Sequence, residues 1–80
     1  MSQIVTKERV ISMVDSRAFI KAVERSGMTM HCIAETMGIP FISLECKSRN
    51  VTEFLASEIE SFCLVVGVTT RMEKERIFFA

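Results

Sequence analysis

Residues 29–49 read TMHCIAETMGIPFISLECKSR, and this stretch decides the fold. It spells two short helices around a glycine turn. Thr29 is a good N-cap, because its hydroxyl can accept a bond from a backbone amide that the first helical turn leaves unpaired. Ile33, Ala34 and Met37 follow at helical spacing and form an inward face. Gly38 ends the helix, since glycine enters the left-handed region without a Cβ clash. A second helix begins near Pro40, where a missing amide hydrogen removes no helical bond. It carries Phe41, Ile42 and Leu44 and runs out near Arg49-Asn50, and the small side chain of Ala34 lets the two helices cross closely.

Outward from this pair, Ile59, Phe62, Cys63 and Val66 stand at i, i+3, i+4 and i+7, which predicts an amphipathic helix ending at Gly67. Thr70 with Glu73 three residues later reads as a capping box and predicts a short C-terminal helix over 70–80 that turns Ile77 and Phe78 toward the body. On the N-terminal side, Thr6 to Ser26 carries Val10, Val14 and Ala18 on one stripe, with Phe19, Ile20 and Val23 continuing the apolar face and Gly27 ending it. This window is one long helix or two broken near Asp15-Ser16, so residues 1–15 are expected to be a helical N-terminal extension. With one proline, three glycines and no strict alternation, the expected fold is all-α, a compact bundle of about five helices.

Eighty residues supply one hydrophobic core, so residues 1–80 read as a single domain. Hydrophobic residues make up 49% and charged residues 25% of the chain, a globular composition too apolar for a disordered tail. Ten Lys and Arg balance ten Asp and Glu, so the whole chain has no pull toward phosphate or anionic membranes, and any nucleic-acid binding must come from local charge. Between Thr29 and Thr70 that charge is negative: Lys47 and Arg49 stand against Glu35, Glu45, Glu53, Glu58 and Glu60. The other cations sit at the two ends, with Lys7, Arg9, Arg17, Lys21 and Arg25 forming an N-terminal group able to reach phosphates only if that helix flanks a groove.

Cys32, Cys46 and Cys63 are odd in number and widely spaced, without a Cys-x-x-Cys pair or a signal-peptide pattern, which argues against a disulfide framework or zinc site and for reduced cytosolic thiols. The longest apolar run, near Phe62 to Val68, is about a third of the roughly 20 residues that a membrane helix needs. His31 has no companion at metal-ligand spacing and reads as a surface residue of its helix. Cys46, without a resolving partner, reads as a small hydrophobe. No Cys-His-acid set, acid pair or glycine-rich phosphate loop is visible, so neither an enzyme, a metal nor a cofactor is expected.

The order Thr29, Ile33-Ala34, Gly38-Ile39, Leu44, then Ser57-Glu58-Ile59-Glu60 and Gly67-Val68, resembles the lambda-repressor-like helix-turn-helix family of Xre, Cro and CI regulators, without gaps from about Ser26 to Thr69. The ending Ile77-Phe78-Phe79 also looks like the tail of small regulators encoded by phages of Gram-positive bacteria. The resemblance implies a helix-turn-helix over 29–49, transcriptional control in a phage-type genetic switch, and a place in the bacterial cytoplasm. Departures from the family pattern are specific. The early, exposed positions of the second helix are Pro40, Phe41 and Ile42, which offer no polar readout of bases. Met30 stands where many members carry a glutamine, Ser48 where a core leucine is usual, and Leu55 where a threonine N-cap is expected.

Two readings follow. In the first, the chain is an antirepressor or modulator of repression that binds the cognate CI-like repressor through Phe41, Ile42, Glu45 and Cys46, its acidic middle suiting a basic DNA-binding face. Alternatively it is a Cro-like repressor that binds operator DNA as a homodimer through Thr29, Met30, Phe41, Ile42, Lys47 and Arg49, the last two on phosphates. A third helix rotated so that Phe41 and Ile42 enter the core is the plainer account of that pair.

Overall fold

The computed structural model describes residues 10–11 and 13–79, with side chains from Met13 to Phe78. The element order is β1 (Val10–Ile11), β2 (Met13–Val14), α1 (Ser16–Ser26), α2 (Met30–Met37), α3 (Phe41–Ser48), β3 (Phe54–Leu55), α4 (Ala56–Val66), α5 (Arg71–Ile77) and β4 (Phe78–Phe79). The mostly helical bundle read from the sequence is therefore present among the described residues. The expected helical extension is not: residues 10–11 and 13–14 are strands, while residues 1–9 and 12 of that expectation lie outside the described residues. The C-terminal helix likewise stops at Ile77 and gives way to β4.

Each helix begins and ends for local reasons. The carboxylate of Asp15 accepts the amide of Ala18 and starts α1, so the chain breaks at the Asp15-Ser16 position. Thr29 caps α2 by accepting the amide of Cys32, and Thr70 caps α5 by accepting that of Glu73. Pro40 is the N-cap of α3 and not its first helical residue. Leu55 has no side-chain acceptor, so α4 is secured from the other direction, with the Leu55 amide donating to Glu58 Oε1 at 2.9 Å. Gly38 and Gly67 close α2 and α4 at φ of 81° and 82°, a conformation in which a Cβ is strained.

The core is organised around four phenylalanines. Phe19 of α1 stacks on Phe62 of α4 with centroids 4.3 Å apart, and Phe78 meets Phe19, Phe54 and Phe62 edge-on. Ile33 and Ala34 of α2, Leu44 of α3 and Ile59 of α4 complete it, all buried. Burying one such side chain stabilises the fold by about 1.5–3 kcal/mol. Ile20, assigned by its spacing to this face, is instead 42% exposed. It lies beside Phe19 in sequence, and one residue of helix turns a side chain by about 100°.

Residues 10–11 and 13–16 form a strap across three separate parts of the chain. Val10 and Ile11 pair with Leu55 and Phe54, while Met13 and Val14 pair with Phe79 and Phe78, both antiparallel. The side chain of Asn50, at φ 64°, accepts the Val14 amide at 2.8 Å and donates to the Val14 carbonyl at 3.0 Å, as a neighbouring strand would. The Asp15 amide donates to the Ile77 carbonyl at 2.8 Å. Ser16 Oγ donates to the Ser48 carbonyl at 2.6 Å, anchoring the end of α3.

Candidate functional site

The turn from Gly38 to Pro40 holds α2 and α3 together. The Ile39 amide donates to the Ala34 carbonyl at 3.0 Å, and the Ser43 and Leu44 amides both reach the Pro40 carbonyl. Leu44 points into the core, and this fixes which side of α3 faces outward. The two apolar residues at its start then separate. Phe41 is half-buried and packs against the core, whereas Ile42 is 60% exposed.

The ring of His31, an exposed residue of α2, lies parallel to Phe41 at 3° with centroids 3.7 Å apart. His31 and Phe41 stand ten residues apart on either side of the glycine turn, a separation that carries no periodic signal in the sequence. Their stack covers one face of Phe41 and leaves Ile42 as the exposed apolar group in the first turn of α3. Glu35 lies one turn along α2 from His31, on the same side of the helix.

The polar residues of this region are already engaged. Glu45, half-buried, pairs with Arg49 at 3.6 Å, and its carbonyl accepts Ser48 Oγ at 2.7 Å. That bond satisfies the hydroxyl of Ser48, so a serine can be buried at the end of α3. Lys47 is turned inward: its ammonium is 3.0 Å from Glu58, donates to the Glu53 carbonyl at 2.8 Å and stands 5.8 Å above the centre of the Phe54 ring. Arg49 is largely exposed and pairs with Glu45 across one helical turn. Cys46 is half-buried on α3. Thr29 is spent as a cap, and Met30 packs partly against the core.

The structure thus brings Ile42, Glu45 and the edge of Phe41 together at one face and keeps Lys47 out of it. Both cations between Thr29 and Thr70 have carboxylate partners, Lys47 with Glu58 and Arg49 with Glu45, and Glu35, exposed on α2, is left without a cation within ion-pair distance.

A larger groove, of about 710 Å³, runs between α4 and α5 past Cys63, Leu64, Thr70 and Lys74. Burial pushes the Cys63 thiol up, with Lys74 acting against that and Glu60 with it, so this sulfur is a poor nucleophile. Among the described residues no group of three His, Cys, Asp or Glu is placed to hold a metal ion, and no helix is long and apolar enough to cross a membrane. No protein-family model matches the chain, and neither the curated proteins nor the solved structures contain a match to it.

Proposed function

We propose that this chain is a protein-binding modulator of transcription in a phage-type genetic switch, an antirepressor that docks on the DNA-binding domain of a CI-like repressor and keeps it from its operator. The observation that carries the reading is Ile42, 60% exposed at the start of α3, on a face whose two cations are both held by carboxylates. An exposed aliphatic side chain within an acidic surround complements a basic surface that has an apolar recess, and opposite charge speeds the encounter. Phe41, the residue before it, is held by its stack on His31, while Glu45 flanks Ile42 one turn along. In this reading α2, the Gly38 turn and α3 are a helix-turn-helix used for protein contact, and the chain is a binding domain, not an enzyme.

The operator-binding alternative gains less from the same geometry. Lys47 would have to leave Glu58 and the Glu53 carbonyl to reach a phosphate, and Ile42 could do no more than touch a thymine methyl.

The test is a gel-shift titration of the repressor encoded beside this chain on its operator, with increasing amounts of the chain added. We expect the wild-type chain to release the operator, and Ile42→Ala to need about ten- to fiftyfold more protein, since about three buried carbon groups are lost. Lys47→Ala should leave the titration unchanged. Sequence-specific binding of the operator by this chain alone, weakened by Arg49→Ala and Lys47→Ala, would replace the proposal with the Cro-like reading.

A further inference from the structure

A second face carries the opposite character. On α1, Arg17, Ile20, Lys21 and Arg25 stand at i, i+3, i+4 and i+8, one side of the helix. Helix α5 packs beside it, and a cleft of about 90 Å³ between the two is lined by Lys21, Arg25, Glu73 and Arg76. A neighbouring hollow of about 290 Å³ adds Met72. Together α1 and α5 contain six cations, Arg17, Lys21, Arg25, Arg71, Lys74 and Arg76, against Glu24, Glu73 and Glu75.

Arg25 is paired with Glu73, and Lys74 with Glu60 at 3.0 Å. Among the described residues, the cations with no carboxylate within ion-pair distance are Arg17, Lys21, Arg71 and Arg76, all on these two helices. Set among them are Ile20, 42% exposed, and Met72, 72% exposed.

We propose that this basic, apolar-studded face docks the acidic α3 face of a second copy of the chain, head to tail. The two surfaces match in kind: one has Ile42 with Glu45 one turn along α3 and the exposed Glu35 on α2, and the other has Ile20 and Met72 on the helices that carry Arg17, Lys21 and Arg76. A phosphate backbone suits the basic face less well, because it offers nothing to bury two exposed apolar side chains against. The chain is neutral overall, so copies approach without net repulsion. Because the two surfaces are different patches, the contact is heterologous, and each copy keeps one free face of each kind. Such association occludes Ile42, so the α3 face is available in dilute protein and covered in concentrated protein. This inference is independent of which further protein α3 binds.

The test uses sedimentation equilibrium of the full chain and two surface variants, Ile42→Asp and the double variant Lys21→Glu with Arg76→Glu. Wild-type mass should rise with concentration at about 0.05 M salt and fall back toward the monomer near 1 M, where screening shortens the reach of charge from over 10 Å to about 3 Å. Each variant alone should stay monomeric, with an unchanged far-ultraviolet spectrum showing that it is folded. An equimolar mixture should form a one-to-one dimer and nothing larger, because each variant retains the surface that the other lacks. Wild-type protein that is monomeric throughout, variants that associate as wild type does, or a mixture that stays monomeric would each overturn the proposal. So would salt-sensitive binding of a random-sequence DNA duplex that the double variant abolishes while the protein remains a monomer.

Discussion

Phenylalanine is used in two ways in this molecule. Phe19, Phe54, Phe62 and Phe78 come from α1, β3, α4 and β4 and meet ring to ring in the middle of the fold. Phe41 meets one ring, that of His31, at the surface. The first group ties distant segments into one cooperative core; the second lies at the edge of that core, half-buried against it and capped by His31. The four buried rings are therefore expected to carry far more of the stability than the surface stack of Phe41 on His31.

The strongest attempt to break this comparison is Phe62→Ala, which empties the stacking partner of Phe19. It should lower unfolding free energy by about 3–5 kcal/mol, read as a fall in the urea midpoint. A loss below about 1 kcal/mol would show that the four rings are not the centre of the fold.

Asn50→Ala comes next. It removes both bonds to the Val14 main chain, each worth about 0.5–1.5 kcal/mol, and places an alanine at φ 64°, costing about 1–2 kcal/mol more. A drop of about 2–5 kcal/mol is expected by the same denaturation measurement.

The smallest effect separates two neighbours. Phe41→Ala should cost about 1–2 kcal/mol, as half-burial roughly halves the transfer term, while Ile42→Ala should stay within about 0.5 kcal/mol. Equal losses at the two positions would mean that Ile42 is a core residue and that α3 presents no apolar anchor.

The parts of the fold that were legible in the sequence are those with a period or a cap. Thr29, Gly38, Gly67 and Thr70 punctuate the helices as their chemistry requires, and the Ile59, Phe62, Cys63 stripe of α4 is buried as its spacing predicts. The strap was not legible. Strands of two residues are too short to show alternation, and Val10 and Val14 fall on a helical stripe by coincidence. What holds these residues is pairing with chain 43 to 66 positions away, together with one asparagine. At the candidate site the sequence pointed to Ile42 and Glu45, but it could not separate Phe41 from Ile42, because that depends on where His31 arrives. Lys47 looked available for phosphate for a similar reason: Glu58 and Phe54 reach it only through the packing of α4 and β3 against α3.

The strap also sets an order in time. Phe78, the pairing partner of Val14, and the Ile77 carbonyl that receives the Asp15 amide lie 64 and 62 residues further along the chain, so they leave the ribosome well after the segment they hold. The helices from α1 to α4 can collect Phe19 and Phe62 beforehand, whereas Val14 has its ladder partner only after residue 78 is synthesised. Closure of the N-terminal segment therefore follows the synthesis of α1 to α5, and until then the nascent domain carries the unpaired edge of β2.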